Sequence, residues 1–179
     1  MTWPGNAQLP LSPIALVQAT YDGLKTMISE LWEEYAEDKI YAFGLFLYAE
    51  GSRGFSVYLK TEKALNGLAN RWACLGPELG TSDALAKQIL ALANRLEVLY
   101  EAAEAEDAST HDLDGVSTIM VEAYAEALHL LRENGLFAPD CCLEFDGDMF
   151  LEEKIAWVQT LNPTELANAV EQQIRRHYS

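Results

Sequence analysis

The stretch KIYAFGLFLYAEGSRGFSVYLKT, residues 39–61, decides the fold. Its first half is apolar at both alternating sets of positions and rich in aromatic residues, which is typical of a strand covered on both faces. GSRG is a turn sequence, and FSVYLKT then alternates apolar with more polar residues, so the second strand has one more polar face that includes Lys60. The sequence therefore predicts a β-hairpin over about residues 39–61.

Helical patterns flank this hairpin. Ser12 and Pro13 are a typical N-cap and first helical residue, and apolar residues recur after them at three- and four-residue steps to about residue 37. Asn134-Gly135 is a typical helix end, and NPTE at 162–165 combines a cap, a first-turn proline and an N3 glutamate. The remaining predicted helices run over about 61–72, from 81 or 82 to about 107, from 116 to 134, and up to about 161.

A short strand at about 141–147, in CCLEFDGDMF, completes the predicted sheet. Together these elements predict an α+β fold. Its small antiparallel sheet, formed by the hairpin and this strand, packs with five or six helices. Neither a repeat nor a clear linker divides the chain, so residues 1–179 are expected to form a single domain. On the strand, adjacent Cys141 and Cys142 should point to opposite faces, one buried and one exposed.

The charge is concentrated in one region. The net charge is −16, and residues 96–153 alone hold 16 acidic side chains and one basic side chain, Arg132, a balance of −15. The rest of the chain carries about −1. An acidic protein of this kind is a poor ligand for phosphate, which argues against nucleic acid and against an anionic membrane surface as partners.

Several features favour the cytoplasm. The three cysteines are odd in number and show no disulfide framework, the N-terminus has no signal-peptide pattern, and no stretch approaches the length of a membrane span. No GxSxG, GxxxxGK or HExxH motif occurs, and acidic neighbours of Cys141 and Cys142 should raise their thiol pKa values, which opposes nucleophilic use. No cofactor and no catalytic residue are therefore assigned.

A metal site is the weaker chemical hypothesis. In EFDGD, Glu144, Asp146 and Asp148 alternate, so one strand face would present three carboxylates to magnesium or calcium. Asp146-Gly147 is equally a common turn pair, and Asp148 could cap the next helix. The alternative function is a metal-assisted hydrolase that uses the acidic clusters near 112–114 and 144–148.

The stretch EAAEAEDASTHDLDG, residues 101–115, holds six carboxylates and no basic residue. It is a solvated helix end, a metal site, or a surface for a basic partner. Concentrated like charge costs stability through repulsion, and the usual compensating gain is solubility or fast association with a cationic partner. The expected partner-binding residues are Glu101, Glu104, Glu106, Asp107, Asp112 and Asp114.

A family resemblance points in the same direction. YAFGLFLYAEGSRGFSVYLKTEKAL (41–65) and LNPTEL (161–166) resemble a bacterial family of similar length known as a domain of unknown function. Its members are similar, in size and genomic setting, to small immunity proteins that neutralise toxins. The resemblance implies no catalytic residues. The leading hypothesis is a non-enzymatic acidic protein that inhibits a basic toxin domain, and a scaffold or regulatory domain is the third possibility.

Overall fold

The computed structural model describes residues 13–48, 55–63, 78–80, 114–147 and 149–178. Its elements follow one another as four helices and four strands within these ranges. In chain order they are α1 (Pro13–Glu34), β1 (Ile40–Leu47), β2 (Phe55–Thr61), β3 (Glu78–Gly80), α2 (Asp114–Glu133), β4 (Cys142–Gly147), α3 (Leu151–Leu161) and α4 (Thr164–Tyr178).

The strands form one sheet in the order β3-β2-β1-β4. The predicted hairpin is confirmed: β1 and β2 are antiparallel, with Gly44 opposite Tyr58. The predicted strand at 141–147 is also present, but it pairs with β1 in parallel, with Gly44 opposite Glu144. The sheet is therefore mixed rather than antiparallel. A strand that re-enters the sheet after an intervening helix, as β4 does after α2, can run parallel to its neighbour, whereas a tight turn cannot give that pairing.

The helix count also differs from the expectation. The described ranges contain four helices instead of five or six. The helices expected at 61–72 and at 81–107 fall almost entirely on residues outside the described ranges. Within those ranges, no helix combines the length and the apolar character needed to cross a bilayer.

Helices cover both faces of the sheet. Phe43, Leu45 and Phe145 point to the face where α1 and α2 pack, in a core with Leu24 and Tyr124. The opposite face places other strand residues against α3 and α4, in a smaller core of Tyr41, Ala42, Cys142, Ile155, Val158, Ala167, Val170 and Ile174. Because both faces are covered, Cys141 and Cys142 are both buried, and the expectation that one would be exposed is wrong.

The end of α2 follows the predicted signal. Gly135 has φ of +76°, a backbone conformation that glycine adopts without steric cost. The amide of Gly135 donates to Arg132 O at 2.9 Å, and the amide of Leu136 donates to Leu131 O at 3.1 Å. These two bonds are the Schellman pattern, which satisfies carbonyl groups left open by the helix end.

Asn162 joins α3 to the outer edge of β4. Its side-chain oxygen accepts from Leu143 N at 2.7 Å, and its nitrogen donates to Leu143 O at 2.7 Å. Arg132 donates both to this oxygen, at 3.0 Å, and to Cys141 O, at 2.8 Å. The Asn162 side chain thus makes the hydrogen bonds at Leu143 that a neighbouring strand would make. Arg132, the basic residue of the acidic region 96–153, is hydrogen-bonded within the fold.

Candidate functional site

The predicted partner-binding surface lies mostly outside the described residues. Glu101, Glu104, Glu106, Asp107 and Asp112 lie outside the described residues. Asp114 is the first residue of α2, but its side chain also lies outside the described part. This surface stays a prediction from the sequence.

Glu144 and Asp146 lie on the same face of β4, as their alternation requires, and each has a lysine partner. Glu144 forms an ion pair with Lys60, and their side chains are 0% and 1% exposed. Asp146 forms an ion pair with Lys154 at 2.7 Å. In both cases the charge of the carboxylate is balanced by a lysine ammonium group. Asp148 lies outside the described residues, and within them no three His, Cys, Asp or Glu side chains are grouped as metal ligands.

The Lys60–Glu144 pair is part of a buried polar row that crosses the sheet. Tyr58 on β2 and Glu144 on β4 flank Gly44 on β1, and the Tyr58 ring occupies the space where a β-carbon of residue 44 would stand. Lys60 Nζ lies 5.5 Å from the centre of that ring. Burial, followed by the negative charges of Glu144 and Asp146, raises the pKa of Tyr58 well above its ordinary value. The phenol therefore stays protonated at neutral pH.

The buried thiols are unsuited to nucleophilic chemistry. Burial raises the pKa of Cys141 to about 12, although Arg132 opposes the shift. Burial and then Glu144 raise the pKa of Cys142 well above its usual value. The expected direction is thus confirmed, but its main cause is loss of hydration rather than acidic neighbours. Neither cysteine is a thiolate at neutral pH.

Acidic side chains of the described residues fall into two classes. One class forms ion pairs within the fold: Asp140 with Lys39 at 3.0 Å, Asp38 with Lys63 at 3.3 Å, Glu152 and Glu171 with Arg175 at 2.8 Å, and the two residues of β4 already described. The other class has no ion pair with a described lysine or arginine. On α2 this second class consists of Glu122, Glu126 and Glu133.

Two of these unpaired acids line a groove of about 570 Å³ between the start of α1, the middle of α2, and α3. Glu122 and Glu126 are one helical turn apart, so they project from the same face of α2. The apolar wall includes Ile14, whose side chain is 74% exposed. The full lining consists of Ile14, Val17, Glu122, Ala125, Glu126, His129, Trp157 and Thr160.

Trp157 joins this groove to the core on the sheet. Its ring contacts that of Phe145, with centroids 5.1 Å apart and an interplanar angle of 58°. Phe145 is fully buried in the sheet, so the indole packs against the core. An aromatic face next to carboxylates suits a cation carried on an apolar stem, because both kinds of surface attract it.

Sequence reasoning missed the groove. His129 is half-buried and lines the groove. The available signal was the spacing of Glu122, Glu126 and His129, at steps of four and three residues, which places all three on one helix face. The contributions of Ile14 and Trp157 had no local signal, because they come from other helices.

No family model, curated protein or solved structure matches this chain in comparisons with known proteins.

Proposed function

We propose that the protein is a non-enzymatic binding protein whose partner is a basic protein, and specifically that it is an immunity-type inhibitor of a basic toxin domain. One observation carries the proposal: residues 96–153 hold a balance of −15, and their basic residue, Arg132, is hydrogen-bonded within the fold. Four acids of this region pair with basic residues from outside it, whereas Glu122, Glu126 and Glu133 have no ion pair with a described lysine or arginine.

The described acids support the same function. Glu126 and Glu133 are exposed on α2, and no described lysine or arginine pairs with them. An exposed field of one sign accelerates association with a partner of the opposite sign. A toxin that cleaves nucleic acid must present lysine and arginine to phosphates. An acidic protein that covers those residues would block the substrate directly.

The test compares capture of partners by three purified proteins. Wild type is compared with a variant in which Glu101, Glu104, Glu106, Asp107, Asp112 and Asp114 become the corresponding amides. A control variant carries Glu30→Gln, Glu33→Gln, Glu34→Gln and Glu37→Gln, which remove exposed charge from α1 and from the residues that follow it. Each is immobilised, exposed to host lysate at 50 and 200 mM salt, and the eluate is identified by mass spectrometry.

We expect one basic protein at a stoichiometric amount on wild type and on the control, and its loss on the 101–114 variant. The salt range matters because exposed charge pairs are screened within about 10 Å at 0.1 M. If only a broad set of basic proteins elutes, and equally from all three proteins, the proposed function is wrong and the charge serves solubility.

A further inference from the structure

We infer that the groove between α1, α2 and α3 binds a segment of the basic partner that carries arginine or lysine beside an apolar side chain; the inference rests on the proposed function. The groove has two chemically distinct walls. Glu122 and Glu126 supply negative charge from α2, and Ile14, Val17 and Trp157 supply apolar surface from the other two helices.

Charge complementarity selects this occupant. The two carboxylates have no described cationic partner, so a guanidinium or ammonium group can approach them without displacing one. A second copy of the chain carries a net charge of −16 itself, and the repulsion between two such chains opposes that pairing. An acidic or neutral apolar segment would leave two carboxylates in a groove without a counter-charge.

The shape of the groove agrees with a side-chain-bearing segment. A volume of about 570 Å³ is within the range of roughly 300–1,000 Å³ that binding pockets have. Ile14 is 74% exposed, which leaves an apolar surface for an aliphatic stem to cover. Arginine suits Trp157 in particular, because its planar guanidinium stacks on an aromatic ring while it binds a carboxylate.

The test uses a synthetic peptide as the probe. It is an amidated 14-residue helix former with arginines at positions i and i+4 and leucines at i+3 and i+7, labelled for fluorescence anisotropy. A second peptide replaces the arginines with glutamates, and a third replaces the leucines with serines. Binding to the full-length protein is measured at 50 and 200 mM salt.

Two matched variants locate the site. Glu122→Gln with Glu126→Gln removes the charge of the groove. Glu30→Gln with Glu34→Gln removes the same charge, at the same spacing, from exposed positions of α1. We expect the first pair to weaken binding of the arginine peptide about tenfold at 50 mM salt, and the second pair to leave it within about twofold. Ile14→Ser should weaken it about threefold and leave the fold intact, because this side chain is exposed.

Other outcomes overturn the inference. If both double variants weaken binding of the arginine peptide equally, the peptide responds to net charge alone. If the serine peptide binds as tightly as the arginine–leucine peptide, the apolar wall has no role. Binding of the glutamate peptide, or self-association that Glu122→Gln with Glu126→Gln strengthens, would assign the groove to a different occupant. If partner capture depends on residues 101–114 but not on Glu122 and Glu126, the groove assignment is wrong while the proposed function stands. If only a broad set of basic proteins elutes, and its capture depends on neither set, the proposed function is wrong.

Discussion

Replacing Lys60 with methionine should destabilise the protein far more than the loss of a surface ion pair would. Lys60 and Glu144 are at most 1% exposed, so the substitution leaves a carboxylate buried without its cation. Breaking a buried pair from one side typically costs about 3–5 kcal/mol of the free energy of unfolding, because the remaining charge has lost both water and partner. That is a large part of the roughly 5–15 kcal/mol by which a domain is stable.

The assay is urea denaturation followed by circular dichroism. With a dependence of about 2 kcal/mol per molar urea, a loss of about 4 kcal/mol lowers the midpoint by about 2 M. Lys39→Met is the control, because Lys39 and Asp140 are 57% and 62% exposed, and exposed pairs contribute about 0–1 kcal/mol.

The double variant Lys60→Met with Glu144→Leu separates two explanations. If the penalty of Lys60→Met comes from the unpaired carboxylate, removing that carboxylate should restore the free energy of unfolding to within about 1 kcal/mol of wild type. A cost below 1 kcal/mol for Lys60→Met would contradict the burial of the pair. A double variant no more stable than Lys60→Met would show that the loss arises from packing instead of charge.

Three further predictions concern the same sheet. Gly44→Ala should cost about 1–3 kcal/mol in the same urea assay, because a β-carbon at residue 44 overlaps the Tyr58 ring; an unchanged midpoint would mean that the ring is not held there. Cys141 and Cys142 should react with iodoacetamide at pH 8.5 only as fast as the chain unfolds, and rapid labelling of the native protein would refute their burial. Burial raises the pKa of the Cys141 thiol from about 9 to about 12, so the thiol of the unfolded chain ionises first as the pH rises. The contribution of the buried thiol to the free energy of unfolding is therefore complete below pH 9 and should decline as the pH rises from 9 to 12.

Local signals predicted the parts of the fold that local contacts determine. The proline at Pro13 and the sequence NPTE at 162–165 placed the starts of α1 and α4, and Asn134-Gly135 placed the end of α2. Each of these signals acts on backbone groups within one helical turn, so the residues concerned are sufficient to predict it.

Contacts between distant residues were not predictable in the same way. The alternation of apolar and polar residues in FSVYLKT placed Lys60 on the more polar face of its strand. The burial of Lys60 depends on its ion pair with Glu144, which lies on a strand two places away in the sheet and 84 residues along the chain. The parallel pairing of β4 depends on how α2 packs, and no residue within β4 specifies it. The groove likewise unites side chains from three helices, of which only the face formed by Glu122, Glu126 and His129 follows from spacing.

The position of Asn162 has a consequence for association between copies of the chain. Among the described strands, β4 is the last on its side of the sheet, and the outer edge of such a strand is a template on which another chain can add a strand of its own. At Leu143 both backbone groups that an incoming strand would need are already bonded to the Asn162 side chain. An incoming strand would have to displace this amide, and with it the Arg132 bond, before the ladder could extend past the middle of β4. One side chain thus protects the sheet against edge-to-edge aggregation at this point.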